Sequence, residues 1–149
     1  MKGAYMEYEN GTKLFQKYGF VSFEKLQTEK LPKGVSILCF CDKLTEEEMN
    51  ATCDRITDNL KKDCYLHTVG HKHSVMHCIL DLFLISKNVD EVQTSSDLKL
   101  TCRSIEKWLN DVKENSKATE AIIVYETDVQ KNEVMQYLKK LKLIKKEAV

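Results

Sequence analysis

With 149 residues, 42% of them hydrophobic and 31% charged, the chain carries enough apolar material for one packed domain of ordinary balance. Its 23 basic and 23 acidic residues cancel, which excludes nucleic-acid binding driven by bulk charge alone. No apolar run reaches the ~20 residues of a membrane span, and the opening MKGAYMEYENG lacks a signal peptide's apolar core, so an intracellular protein without a membrane anchor is expected.

Residues 1–30 are weakly patterned and read as an N-terminal extension. Leu14, Phe15, Tyr18 and the run Phe20-Val21-Ser22-Phe23 suggest a short helix followed by an extended arm. Leu31-Pro32-Lys33-Gly34 then punctuates the chain, because proline pushes the residue before it out of helical geometry and glycine permits a turn.

The domain proper is expected over 31–128. Val35 to Cys41 is a short apolar run bounded by turn signals, which predicts a buried strand. Thr45-x-x-Glu48 is a capping box with acids in the first turn, and Met49, Cys53, Ile56 and Leu60 follow at alternating spacings of four and three. That pattern predicts an amphipathic helix over 45–60. Cys64 to Val69 predicts a second strand ending at Gly70, and Ser74 to Ile85 a helix with Val75, Ile79, Leu82 and Phe83 on one face. Met76, Leu80, Leu84 and Ile85 cover much of its remainder, so this helix is expected to be buried or to meet a partner.

A third strand falls within Val92–Leu100. Ile105, Trp108, Leu109 and Val112 predict another amphipathic helix, with Trp108 in the core. Ala121 to Tyr125 predicts a central strand. Lys131 to Lys146, within a C-terminal unit at 129–149, predicts a last helix with Val134, Leu138 and Leu141 on one side and lysines on the other. Strands alternating with helices indicate an α/β fold of two or three layers, with helices covering a mixed sheet.

Chemistry-bearing residues are concentrated in CYLHTVGHKHSVMHC, which holds all four histidines, His67, His71, His73 and His77. The i, i+4 spacing of His73 and His77 suits a zinc site, yet neither CxxC nor HExxH accompanies it, so a polar loop entering a helix is the expectation and no metal is assigned. Such a loop can also meet phosphate through backbone N–H groups at the helix start. Cys39-x-Cys41 lies in a strand, and with no export signal the six cysteines read as buried or free thiols rather than a disulfide framework. Asp42 and Asp128 sit just past strands, where α/β active sites often lie and where turn acids are common too. No nucleophile–base pair, GxSxG, GxGxxG or phosphate-loop lysine is present, so a non-catalytic chain is expected, with no cofactor.

Three stretches carry a family likeness. Leu31-Pro32-Lys33-Gly34-Val35 enters the first strand, the capped helix at 45–60 follows, and Leu66-His67-Thr68-Val69-Gly70 leads into the apolar helix from Ser74. Between Lys30 and Tyr125 the chain resembles the Alba superfamily, and within it the Alba-like protein subunits of ribonuclease P and ribonuclease MRP. It departs from the pattern at Thr68, where the family has glycine, at a longer turn through His71, Lys72 and His73, at His77 in place of a helical arginine, and in the Trp108 helix, which fills the place of a hairpin.

The resemblance implies a β-α-β-α-β-β core with extra helices and a subunit of a ribonucleoprotein engaged in tRNA processing, located in the nucleus, nucleolus or cytoplasm. It implies structured RNA held by Lys33, Lys43, Gly70, His71, Lys72 and His73. It also implies pairing with a second Alba-like chain, or with itself, through Val75, Ile79, Leu82 and Phe83. The rival expectation is an α/β protein-interaction adaptor without RNA, which a neutral surface and an apolar helix suit equally well. The two differ in whether RNA binding is steeply salt-dependent.

Overall fold

A computed structural model describes residues 6–29, 31, 35–58, 60, 64–89 and 92–145. The elements run β1 (Glu7–Asn10), β2 (Lys17–Ser22), α1 (Phe23–Leu26), β3 (Val35–Phe40), α2 (Glu46–Thr57), β4 (Tyr65–Val69), α3 (His73–Ser86), β5 (Gln93–Asp97), α4 (Cys102–Asn115), β6 (Glu120–Tyr125) and α5 (Asp128–Lys140). The strands form one six-stranded sheet in the order β1-β2-β6-β3-β4-β5. β1 runs antiparallel to β2, and every other pairing is parallel, so the sheet is mixed.

Alternation along the strands divides the core in two. Ala121, Ile123 and Tyr125 of β6 face one side with Tyr18, Phe20, Leu38 and Phe40, and this side is closed by Ile105, Trp108, Leu109 and Val112 of α4 and by Val134 and Leu138 of α5. Ile122 and Val124 face the other side with Val21, Ile37 and Cys39, covered by α2 through Met49, Cys53 and Ile56 and by α3 through Met76, Leu80 and Leu84. The result is the expected α/β class in three layers. β6 is apolar on both faces because it lies between β2 and β3 with helices above and below.

Two regions differ from the sequence expectation. Residues 17–22 are not a free extended arm. They form a strand inside the sheet, and the short helix α1 follows this strand rather than preceding it. The alternation of Tyr18 and Phe20 against Gly19 and Val21 is the period of a two-sided strand, and the single glycine obscured it. Gly19 packs closely against its neighbours: a Cβ there would lie 2.7 Å from Ile122 Cδ1, so that side chain would have to shift. At the other end, α5 stops at Lys140 instead of continuing to 146. Lys142 turns with φ 60°, and Leu143 and Ile144 fold back into the core, where Ile144 bridges Gly11.

Between β5 and β6 stands α4, the Trp108 helix. It carries the chain from one edge of the sheet back across β4 and β3. A parallel strand reached by such a crossover needs a long connection, and a helix supplies it. Truncating the central strand should be costly. Ile123→Ala is expected to lower stability by about 2–5 kcal/mol, read as a lower urea midpoint at unchanged slope.

Candidate functional site

The parallel strands β2, β6, β3, β4 and β5 all end on the same edge of the sheet. There β3 leads to α2 on one face, while its neighbour β6 leads to α5 on the other. Where two neighbouring strands send their helices to opposite faces, the loops part and leave a crevice. A cavity of about 510 Å³ lies here, lined by Phe23, Lys43, Leu44, Glu48 and Val129 with Asp42, Glu126 and Gln130 at its floor. A second, of about 400 Å³, extends towards β5 between Gly70, His71, Leu98, Lys99 and Glu133, and shares Asp42 and Gln130 with the first. Together they make one trough.

Asp42 and Glu126 from two loops and Gln130 from α5 hold the floor in place. The Glu126 carboxylate accepts from the backbone N–H of Asp42 and of Lys43, each at 2.7 Å. Gln130 donates through Nε2 to Glu126 Oε2 at 2.9 Å and to Asp42 Oδ2 at 3.2 Å, while its Oε1 accepts from the N–H of Glu126 at 2.7 Å. Asp42 Oδ1 accepts the N–H of His71 at 2.9 Å. The loops after β3, β4 and β6 are thereby tied together through charged acceptors, which make the stronger hydrogen bonds. Gly70 is demanded by this closeness: its φ is +131°, and a Cβ would sit 2.6 Å from Asp42 Oδ1.

The clamp also decides what the loops can bind. Two successive backbone N–H groups after a strand are a natural cradle for an anion. In this chain Glu126 already occupies the cradle. The phosphate contact expected at the start of α3 meets the same obstacle. The N–H of His71 goes to Asp42, that of Lys72 to the Cys41 carbonyl at 3.0 Å and that of His73 to the Gly70 carbonyl at 3.1 Å. The N–H groups of Asp42, Lys43, His71, Lys72 and His73 are thus spent within the loops.

Of the residues expected to meet RNA, Lys43, Gly70 and His71 come together at the trough, with Lys43 and His71 exposed. Lys72 turns inward, its ammonium donating to the Leu44 carbonyl at 2.6 Å. His73 turns to β5 and shares a hydrogen bond with Ser96 Oγ at 3.0 Å. Lys33 lies outside the described residues. Asp128 opens α5 and is exposed, apart from the cavity linings, whereas Asp42 is engaged as a loop tie. On α3, Val75 and Leu82 are exposed, while Ile79 and Phe83 pack half-buried against the core. Lys99, Glu126 and Gln130 were not singled out from sequence. Only Thr127-x-x-Gln130, a capping box before α5, announces any of them.

Three of the four histidines are absorbed by β5, whose sequence QTSSD puts a polar side chain on every position. His77 Nε2 meets Thr94 Oγ1 at 2.8 Å and His73 meets Ser96, both on the α3 side. His67 sits on the α4 side beside Trp108, with Nδ1 against Ser95 Oγ and Nε2 3.1 Å from Asp97 Oδ2. The cluster is thus split across the sheet. Among the described residues no group of three or more His, Cys, Asp or Glu is placed to hold a metal ion.

Three strand and helix thiols are made inert by burial. Cys39, Cys41, Cys53 and Cys64 are buried, Cys78 is exposed and Cys102 lies between, and none of the six forms a disulfide. Burial pushes the Cys41 and Cys53 thiols up to about 12 and Cys39 well above the usual range.

Two predictions follow from these contacts. Glu126→Ala strips the two loop N–H groups of their acceptor and should lower stability by about 1–3 kcal/mol, while Glu126→Gln keeps half the geometry and should cost less. Chemical denaturation of both variants measures the difference. For His67, burial lowers its pKa below the ordinary 6.5, and the Asp97 carboxylate opposes that shift only in part. The unfolded chain therefore takes up this proton more readily than the folded one, so stability is full above about 6.5 and falls as pH drops below it. His67→Gln should flatten that limb of a urea-midpoint profile between pH 7 and 5.

Among the described residues no helix is long and apolar enough to cross a membrane. Comparison with protein-family models and with curated proteins finds no match for the chain.

Proposed function

We propose that this chain is a non-catalytic RNA-binding and assembly subunit that takes an RNA segment in the trough at the carboxyl edge of its sheet. The observation that carries the reading is the convergence of exposed Lys43, His71 and Lys99 on one trough that also offers the apolar surfaces of Phe23, Leu98 and Val129. Cations for phosphates alongside apolar walls for bases are what a single-stranded or looped RNA needs. The lining sets four acids, Asp42, Glu48, Glu126 and Glu133, against Lys43 and Lys99; Asp42 and Glu126 are turned inward onto backbone N–H groups, so phosphate contact in this reading is made by individual lysines and not by a positive field.

Affinity in this reading comes from shape and a few phosphate contacts, as the zero net charge requires. Arginine forks contribute little: Arg55 is spent on the carbonyls of Leu26 and Glu29, tying α2 to the segment after α1. The likeness to Alba-type subunits supports the same function, since it too places RNA at the turn before α3.

A protein-interaction adaptor without RNA is the second reading. Its supporting observation is the exposure of Val75, Leu82 and Ile85 on α3, a surface that RNA binding does not use.

Titrating a fluorescent single-stranded RNA at 50, 100 and 200 mM salt separates the two. The RNA reading expects log affinity to fall linearly with log salt, with Lys43→Ala and Lys99→Ala each reducing the slope by about one. Binding that is absent at 50 mM, or unaltered by both substitutions, overturns it and leaves the adaptor.

A further inference from the structure

The α4 face of the β4–β5 pair carries a line of three side chains that the RNA reading does not use. The register sets His67 directly opposite Ser95, and Asp97 stands two residues further along the same face. His67 Nδ1 is hydrogen-bonded to Ser95 Oγ, while Nε2 lies 3.1 Å from Asp97 Oδ2. All three line a cavity of about 110 Å³ between β5 and α4, with Trp108, Lys107 and Asp111 on the helix side. This cavity shares no lining residue with the trough.

The direction of the Ser95–His67 bond follows by elimination. Burial lowers the His67 pKa below 6.5, so the ring is neutral at pH 7 and carries a single N–H. A carboxylate can only accept, so Asp97 favours that proton on Nε2. Nδ1 is then a bare lone pair, and the Ser95 hydroxyl donates to it. A hydroxyl held on a neutral imidazole, itself oriented by a carboxylate, is the arrangement of an activated oxygen nucleophile.

A second observation marks the same wall. Four buried side-chain atoms among the described residues find no hydrogen-bond partner, and two of them, His67 Nε2 and Trp108 Nε1, belong to residues that line this cavity. Asp97 is near enough to orient the ring but lies off the line of its N–H. Such orphaned atoms are few in folded proteins, and a reactive role is one reason they persist.

We propose that Ser95 is a self-acylation site, which takes an acetyl-sized acyl group from an activated ester or thioester. Ser95 Oγ attacks the carbonyl carbon while its proton passes to His67 Nδ1. The bond from that carbon to the leaving oxygen or sulfur breaks, and His67 returns the proton to the departing alkoxide or thiolate. The products are an O-acyl serine and an alcohol or thiol, with no oxidant or cofactor consumed. The cavity of about 110 Å³ has room for only a few heavy atoms. An acetyl group in place fills the space a hydrolytic water would need beside His67, so the modification is retained rather than turned over. The chain stays non-catalytic, and the inference does not depend on what the trough binds.

Incubating the full chain with p-nitrophenyl acetate, and separately with S-acetyl-N-acetylcysteamine, followed by peptide mass spectrometry, tests this. A Cys78→Ser, Cys102→Ser background removes the thiols that are not buried. An acetyl group on Ser95 is expected, abolished by Ser95→Ala and slowed roughly a hundredfold by His67→Gln, each checked for native circular dichroism. Thr94→Val, on the opposite face of β5, is expected to leave it unchanged. The rate should level off above about pH 7, where His67 is already neutral, and fall towards pH 5. His67 is faced by Asp97 on β5 and by Lys107 and Asp111 on α4, with His73 and His77 beyond the sheet. Acetylation of surface lysines keeps rising with pH and is told apart by that profile.

Reaction with either donor supports the site, and reaction with one alone assigns the donor class. Absence of acetyl on Ser95, or labelling at full rate in His67→Gln, overturns the inference. Steady release of p-nitrophenolate that requires Ser95 overturns the retained modification. None of these outcomes touches RNA binding, which is read through Lys43 and Lys99.

Discussion

The fold depends on the position of β6. It is the last strand in the chain, yet it lies between β2 and β3, and Ala121 to Val124 are fully buried. A strand apolar on both faces has to be covered twice, and the chain meets that demand by sending α2 and α3 to one side and α4 and α5 to the other. Once β3 and β6 are neighbours whose helices leave in opposite directions, a crevice at their carboxyl ends is unavoidable. The trough is a consequence of topology before any side chain in it is considered.

Its chemistry is then set by Glu126. A crevice of this kind usually offers free backbone N–H groups, and here a carboxylate from the chain itself takes them. The same group, with Gln130 and Asp42, cross-links three loops, so the trough is shaped in advance rather than ordered by its ligand. Preformed sites lose less entropy on binding. That advantage matters for a chain whose net charge is zero and which has no long-range attraction to add.

Much of the fold was legible because periodicity reports burial directly. The four-three spacing of α2 and α4, the capping box at Thr45 and the apolar run of β6 each name their element without reference to the rest of the chain. β2 was missed because Gly19 interrupts its alternation, and its role is visible only against Ile122. The histidines drew notice as a cluster in sequence, but a strand alternates its faces, so His67 parts from His73 and His77. What organises them is β5, whose QTSSD has no apolar pattern to announce a strand. Of the trough, Lys43 entered only through the family resemblance, and Gly70 and His71 were readable as a turn after a strand. Glu126 was not, because a single acid after a strand looks the same whether it caps a turn or reaches another loop.

The two surfaces of the molecule are joined by one rigid connection. The turn 70–72 that walls the trough runs directly into α3, and it is held at Gly70 by Asp97, at His71 by Asp42 and at Lys72 by Leu44 and Cys41. The outer stripe of α3 and the lining of the trough are therefore held in one fixed mutual orientation, because the turn that joins them is tied to β3, to β5 and to the loop before α2.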